Sequence, residues 1–168
     1  MLTVSPDPLL TPRLELRRTR VEDAAAMFEA LRHEEIYAYI PRAAPATVAD
    51  VEARFARVMV ETAPGRAEQW LNWTVWRRED GAGVGMVEAT VDAQRGVSIG
   101  YLFDPRVWRR GYAREAVGAM LAHLAECGAA AFEATIDVRN AGSRALVAAL
   151  GFAHVETAGI DEMWRRGA

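Results

Sequence analysis

Residues 108–113, Trp108-Arg109-Arg110-Gly111-Tyr112-Ala113, place a glycine and, two positions later, a small residue at the opening of a helix. Such a start lets the backbone come close to an anion, which the free N–H groups and the helix dipole then hold. The chemistry this suggests is diphosphate binding. All 20 basic residues are arginine, so the turn is not a P-loop, whose lysine grips the phosphates, and Schiff-base chemistry is excluded as well.

The turn needs a strand before it and a helix after it. Val97 to Phe103 is an apolar strand-like run, and from Ala113 the residues Val117, Met120, Leu121 and Leu124 mark one helical face that ends at Gly128, a natural left-handed cap. Phe132 to Val138 then alternates as a strand. Strand, helix and strand in this order imply a right-handed crossover and a parallel pair. Upstream, Trp70 to Trp76 and Val84 to Val91 read as hairpin partners across Asp80-Gly81, with Val97 to Phe103 as the third strand of an antiparallel meander. Leu71, Trp73 and Val75 share one face of the first of these strands and Trp70, Asn72, Thr74 and Trp76 the other, which predicts coverage on both sides.

Nearer the N-terminus, Arg13 to Arg17 alternates as a half-buried strand, and Thr19 with Glu22 spells a capping box for a helix carrying Val21, Ala24, Ala25, Phe28 and Leu31. A second helix follows Thr47, with Val48, Val51, Phe55, Val58 and Met59 on one side and Pro64-Gly65 closing it. A short last helix runs to about Leu150 and stops at Gly151, before a closing hairpin of Phe152 to Thr157 and Glu162 to Arg165. The expected class is α+β: a mixed, mostly antiparallel sheet with helices on both faces and one parallel pair that splays apart.

At 168 residues the chain fits one domain, residues 1–168, able to bury roughly 70% of its unfolded surface. A net charge of −3 and scattered arginines lack the footprint of a nucleic-acid binder. No apolar stretch reaches the roughly 20 residues of a membrane span. A single cysteine, Cys127, and an N-terminus without a signal-like segment lead us to expect a cytoplasmic protein.

Taken together, the glycine turn and its helix, Asn140-x-x-Ser143 and Leu150-Gly151-Phe152 resemble the GNAT superfamily of acetyl-CoA-dependent N-acetyltransferases. The opening Leu10-Thr11-Pro12-Arg13-Leu14-Glu15-Leu16-Arg17, Trp108 and the Asn-x-x-Ser spacing are similar to its ribosomal-protein N-acetyltransferase (RimJ/RimL-like) branch. The resemblance implies that the amides of Arg109, Arg110, Gly111, Tyr112, Ala113 and Arg114 hold the pyrophosphate of acetyl-CoA. Trp108 stands where the family more often has Gln or Arg. Tyr101, Leu102 and Phe103 would offer backbone groups to the pantetheine arm as an added strand does, with Asn140 and Ser143 on its other side. Without the family in view, Gly111 is a tight turn, Asn140 a helix cap and Ser143 a first-turn residue.

The reaction so implied is attack of a primary amine on the acetyl thioester. Alkyl ammonium has a pKa of about 10, so a base must take its proton, through water. Glu88 is the candidate, as the only charged residue of its strand; the alternative is a solvated carboxylate at an exposed strand edge. Asp137, just before Arg139-Asn140, is a weaker candidate that more naturally organises a turn. A backbone N–H near Leu102 or Phe103 would face the developing oxyanion. Many members of the superfamily place a tyrosine seven residues after the asparagine to protonate the thiolate; here that position is Val147, leaving Ser143 or solvent.

His33, His123 and His154 are too dispersed for a metal site, and no metal is expected. Tyr37 and Tyr39 lie in the segment that shapes the acceptor pocket in this family, although core packing is their simpler role, and a solvated loop position that of His33. Cys127 reads as an inert helix-end residue. The expected acceptor is a protein N-terminus or a small amine, and the chain a monomer or homodimer. The alternative from another class is a non-catalytic acyl-CoA-binding or sensing domain.

Overall fold

The computed structural model describes residues 1–62 and 65–168. One eight-stranded sheet organises them: β1 (Leu9–Leu10), β2 (Leu14–Arg18), β3 (Gln69–Arg77), β4 (Gly83–Val91), β5 (Gly96–Phe103), β6 (Ala131–Asp137), β7 (Ala153–Ala158) and β8 (Asp161–Gly167), in the order β1-β2-β3-β4-β5-β6-β8-β7. Every pairing is antiparallel except β5 with β6. The helices are α1 (Ala24–Leu31), α2 (Val48–Val58), α3 (Tyr112–Glu126) and α4 (Ala141–Ala149).

The two faces of β3 enter two different cores, as its aromatics on both sides predict. Leu71, Trp73 and Val75 join the larger one with Val117, Met120, Leu121 and Leu124 of α3, while Trp76 joins Met86, Leu102, Met27 and Phe55 beneath α1 and α2. Each fully buried side chain of this kind contributes roughly 1.5–3 kcal/mol, so α3 is anchored chiefly through that one face.

The splay has a simple cause. β5 keeps seven paired positions with β4, and β6 keeps seven with β8, but β5 and β6 share only three: Gly96 with Ala131, Val97 with Phe132, and Ser98 with Glu133. From Ile99 to Phe103 the edge of β5 that faces β6 has no partner strand.

Three local expectations are corrected. Thr19 and Glu22 form no capping box: the Thr19 N–H extends the β2–β3 pairing by donating to the Asn72 carbonyl (3.0 Å), and α1 is entered through a 3-10 turn at Val21–Asp23 with no side-chain cap. The capping box occurs instead at Thr47, whose hydroxyl accepts from the Asp50 N–H while Asp50 accepts from the Thr47 N–H. The buried stripe of α1 is Ala24, Met27, Ala30 and Leu31, with Ala25 exposed and Phe28 half-buried. Helix α2 ends at Val58 with Met59 exposed; Pro64 of the expected stop lies outside the described residues.

At its far end α3 closes as expected. Gly128 is left-handed (φ 93°), its N–H reaches the Ala125 carbonyl, and the Ala129 N–H reaches that of Leu124, a Schellman pair.

Candidate active site

The turn at residues 108–113 is held in an unusual backbone shape. Arg109 (φ 60°) and Gly111 (φ 80°) are both left-handed, and glycine alone adopts that state without steric cost. Helix α3 begins at Tyr112, one residue before the expected Ala113, because Gly111 serves as the N-cap. The first helical bond found here runs from the Glu115 N–H to the Gly111 carbonyl (3.0 Å), which leaves the N–H groups of Tyr112, Ala113 and Arg114 without helical partners.

The opening Thr11-Pro12-Arg13 segment clamps this turn. Glu115, on the first turn of α3, accepts from the Thr11 hydroxyl (2.6 Å), the Arg13 N–H (2.9 Å) and Arg13 Nε (2.6 Å), and Arg13 Nη1 donates to the Arg110 carbonyl (2.9 Å). The Arg13 guanidinium lies over the buried Tyr112 ring, 4.5 Å from its centroid. These contacts hold the Glu115 carboxyl below the usual range, even against its partial burial. A cleft of about 710 Å3 opens beside the turn, lined by Arg13, Gly111, Arg114, Glu115, Ala149, Leu150, Gly151 and Arg166. Three guanidinium groups and free amides suit phosphate groups.

On the splayed edge, the register decides which backbone groups are free. The Asp104 N–H donates to the Val84 carbonyl, and the Asp92 N–H to that of Gly96. Hydrogen-bonded pairs alternate along an antiparallel ladder, so Met86–Leu102 and Glu88–Gly100 are bonded pairs as well. Leu102 therefore turns its N–H and C=O to β4 and its side chain into the second core, and is not available to an arm in the gap. Tyr101 and Phe103 turn theirs towards the gap. The Phe103 carbonyl is taken by Trp108 Nε1 (2.7 Å), which ties the strand end to the turn and leaves the half-exposed indole at the edge of the gap.

Glu88 is half-buried on a central strand, so the exposed-edge alternative does not describe its position. It lies on the same face as Met86, beneath α1 and α2, and is ion-paired with Arg54 of α2. Gly100 stands directly across from it, and a Cβ there would come within 3.2 Å of Glu88 Oε2. Glycine thus leaves an opening beside the carboxylate, one residue from Tyr101.

Asn140 caps α4 by accepting from the Ser143 N–H (3.0 Å). Ser143 is half-buried, and its carbonyl accepts from the Tyr101 hydroxyl at 3.5 Å across the splay. Burial pushes the Tyr101 phenol up, partly offset by that bond. Val147 is fully buried in the larger core, so this position faces inward. Asp137 does organise its turn: it accepts from the Arg139 N–H and guanidinium (2.9 and 2.6 Å), and these bonds hold its carboxyl at about 2. A carboxylate so weakly basic is a poor proton acceptor.

Tyr37 is buried, donating to the Leu31 carbonyl (2.9 Å), whereas Tyr39 is exposed beside Arg139 rather than in the core. His33 is not a solvated loop residue: its Nε2 is buried, 3.7 Å from Asp104. Cys127 has a neighbour four residues back on its helix, His123 Nε2 at 3.9 Å, yet burial and the nearby Glu126 raise its thiol above the ordinary range. Among the described residues no group of three or more His, Cys, Asp or Glu could hold a metal ion, and no helix is long and apolar enough to cross a membrane.

Known proteins resemble this chain over most of its length. The family model of the acetyltransferase (GNAT) domain matches residues 13–153. The uncharacterized N-acetyltransferase YoaA of Bacillus subtilis (strain 168) is 25% identical over 149 residues, 86% of this chain and 82% of that protein. Among solved structures, a GNAT-family acetyltransferase from Bacillus anthracis superposes with a TM-score of 0.80 at 20% identity, covering 95% of this chain and 98% of that one. RimL, a ribosomal-protein alpha-N-acetyltransferase in complex with coenzyme A, gives 0.76 at 14% identity, covering 96% and 98%. The chain belongs to the GNAT family of acetyltransferases and is an acyltransferase with acetyl-CoA as its donor.

Proposed function

We propose that this acetyltransferase acts on a primary amine, which approaches from the α1–α2 side through the opening between Glu88 and Gly100. Acetyl-CoA, when bound, supplies an activated acetyl thioester. Its diphosphate would rest on the free amides of Tyr112, Ala113 and Arg114 with Arg13, Arg114 and Arg166 nearby, and its arm along Tyr101 and Phe103. Trp108, Asn140 and Ser143 would border that path.

Glu88 accepts the amine's proton through a water, and the ion pair with Arg54 fixes the carboxylate at the opening. The Phe103 N–H donates to the carbonyl oxygen that gains charge; the register favours it over Leu102. Ser143, or solvent, would hand a proton to the departing sulfur, a thiol whose ordinary pKa near 8.5 makes it a tolerable leaving group without strong help. The observation that carries this reading is the Glu88–Gly100 pair, a carboxylate and an empty place beside an unpaired strand edge. Protein N-termini are among the candidate acceptors, since RimL acts on one.

The test is release of coenzyme A thiol from acetyl-CoA with a panel of primary amines and short peptides. Release that requires an amine and yields the N-acetyl product supports the reading. Slow release that is indifferent to every amine overturns it.

A further inference from the structure

We propose that the acceptor amine also carries a carboxylate, which docks on Arg42, Arg54 and Arg57 at the α2 wall of the site; this rests on the reading of Glu88 as the amine-facing group. Among the described residues, ten of the 20 arginines have an acidic partner within ion-pair distance, Arg13, Arg17, Arg18, Arg77, Arg106, Arg139, Arg144 and Arg165 among them. Around Glu88 a single carboxylate is set among three arginines. Arg54 and Arg57 are three residues apart on α2 and so share one side of it. Arg42 comes from the loop before α2, with its guanidinium 5.8 Å from the Tyr37 ring centroid.

Among the described residues, neither Arg42 nor Arg57 is within ion-pair distance of a carboxylate, and Glu88 answers Arg54 alone. Arg54 Nε is buried without a hydrogen-bond partner, an uncompensated donor beside Glu88. The Arg42 guanidinium loses proton affinity through its crowded setting and through the charges of Arg54 and Arg57, with Glu88 and Tyr37 opposing. Arg54 faces Glu88, and the exposed Arg42 and Arg57 lie within Coulombic range of this pair, so positive charge is in excess over the one carboxylate. Like charges held together at a cleft, with free donors, are the complement of an anion.

A carboxylate fits because it takes two parallel N–H donors from guanidinium. Arg54 touches Glu88, so an anion taken up beside Arg54 would lie within a few bonds of the reacting nitrogen. A free amino acid and a peptide whose N-terminal residues are acidic share this chemistry.

The experiment uses the full chain with acetyl-CoA. Glycine, L-serine and L-aspartate are compared with their α-amides, and the peptide Ser-Asp-Ala-Ala with Ser-Asn-Ala-Ala, both C-terminally amidated. The account expects kcat/KM for each carboxylate to exceed that of its amide by about tenfold or more in at least one of the two series, as loss of a hydrogen bond to a charged group implies. The series that shows the preference identifies the source. In Arg42→Gln/Arg57→Gln the preference collapses through KM, and Arg42→Lys/Arg57→Lys restores part of it.

Amides used as well as carboxylates, or a preference that survives the double glutamine substitution, would overturn the proposal. Calorimetry on the coenzyme A-saturated protein separates it from the catalytic reading. Arginine-dependent binding of a carboxylate without turnover sustains the anion site and removes the acetyl-transfer assignment. No binding and no turnover with any of these carboxylates removes the anion site.

Discussion

Arg13 Nε lies 2.6 Å from Glu115 Oε2, joining residues 102 positions apart at the turn that precedes α3. Glu115 also receives the Arg13 N–H and the Thr11 hydroxyl, so the N-terminal segment and the turn are one structural unit. The Arg13 side chain is 46% exposed, and the ion pair by itself adds little; the arrangement matters because it fixes the backbone at Arg110 and Gly111. Glu115→Ala is therefore expected to weaken acetyl-CoA binding by about tenfold, on the scale of charge-assisted hydrogen bonds, while kcat at saturating donor changes little. Calorimetric titration and steady-state kinetics check this. Unchanged affinity would show that the clamp does not shape the donor site.

Gly111→Val imposes a β-branched residue at φ 80°, and its Cβ would stand 3.2 Å from Arg13 Nη2. The variant is expected to fold, with a stability loss of roughly 1–2 kcal/mol from the left-handed backbone, and to lose most of its affinity for acetyl-CoA. Leu121→Ala is the contrasting case. Leu121 is fully buried in the larger core, so truncation should cost about 2–5 kcal/mol by denaturant unfolding, with donor affinity nearly intact.

Trp108→Phe keeps an aromatic ring but removes the Nε1 bond to the Phe103 carbonyl. The strand end and the turn then part company, and the account expects kcat/KM to fall about tenfold, the weight of one lost hydrogen bond. Stability should change by less than in Leu121→Ala. A variant indistinguishable from wild type would mean that the indole does not position the gap.

Asp137 supplies a pH prediction with a definite sign. Its folded pKa, about 2, lies below the ordinary aspartate value of about 3.9. The ion pair with Arg139 thus adds stability that is present above about pH 4 and fades as pH falls towards 2. The stability difference between wild type and Asp137→Asn should be flat from pH 5 to 8 and shrink below about pH 4, as measured by chemical denaturation at each pH.

Much of this fold is legible along the chain because it is periodic. The two-residue alternation of β2 and β6, the apolar runs of β3, β4 and β5 and the helical spacing of α3 need only neighbouring residues, and Gly111 and Gly128 mark both ends of α3. Long-range competition hides the rest. Thr19 has the spelling of a cap but spends its N–H on Asn72 in the adjoining strand. The choice between Leu102 and Phe103 depends on which residues pair with Met86, a property of register rather than of local sequence. Arg54 is 34 residues from Glu88; its only sequence signal is its place beside the apolar stripe of α2, one turn before Arg57. Tyr101 reaching Ser143 across the splay carries no local mark at all.

The central claim is that Glu88 draws the proton from the acceptor amine. The most direct measurement is the pH dependence of kcat/KM for wild type and Glu88→Gln with the best amine found. The account predicts a fall of about 10²–10⁴ in kcat/KM, with acetyl-CoA affinity retained and a residual rate that rises with pH as free amine increases. Turnover and pH profile unchanged from wild type would contradict it and return Glu88 to a purely structural partner of Arg54.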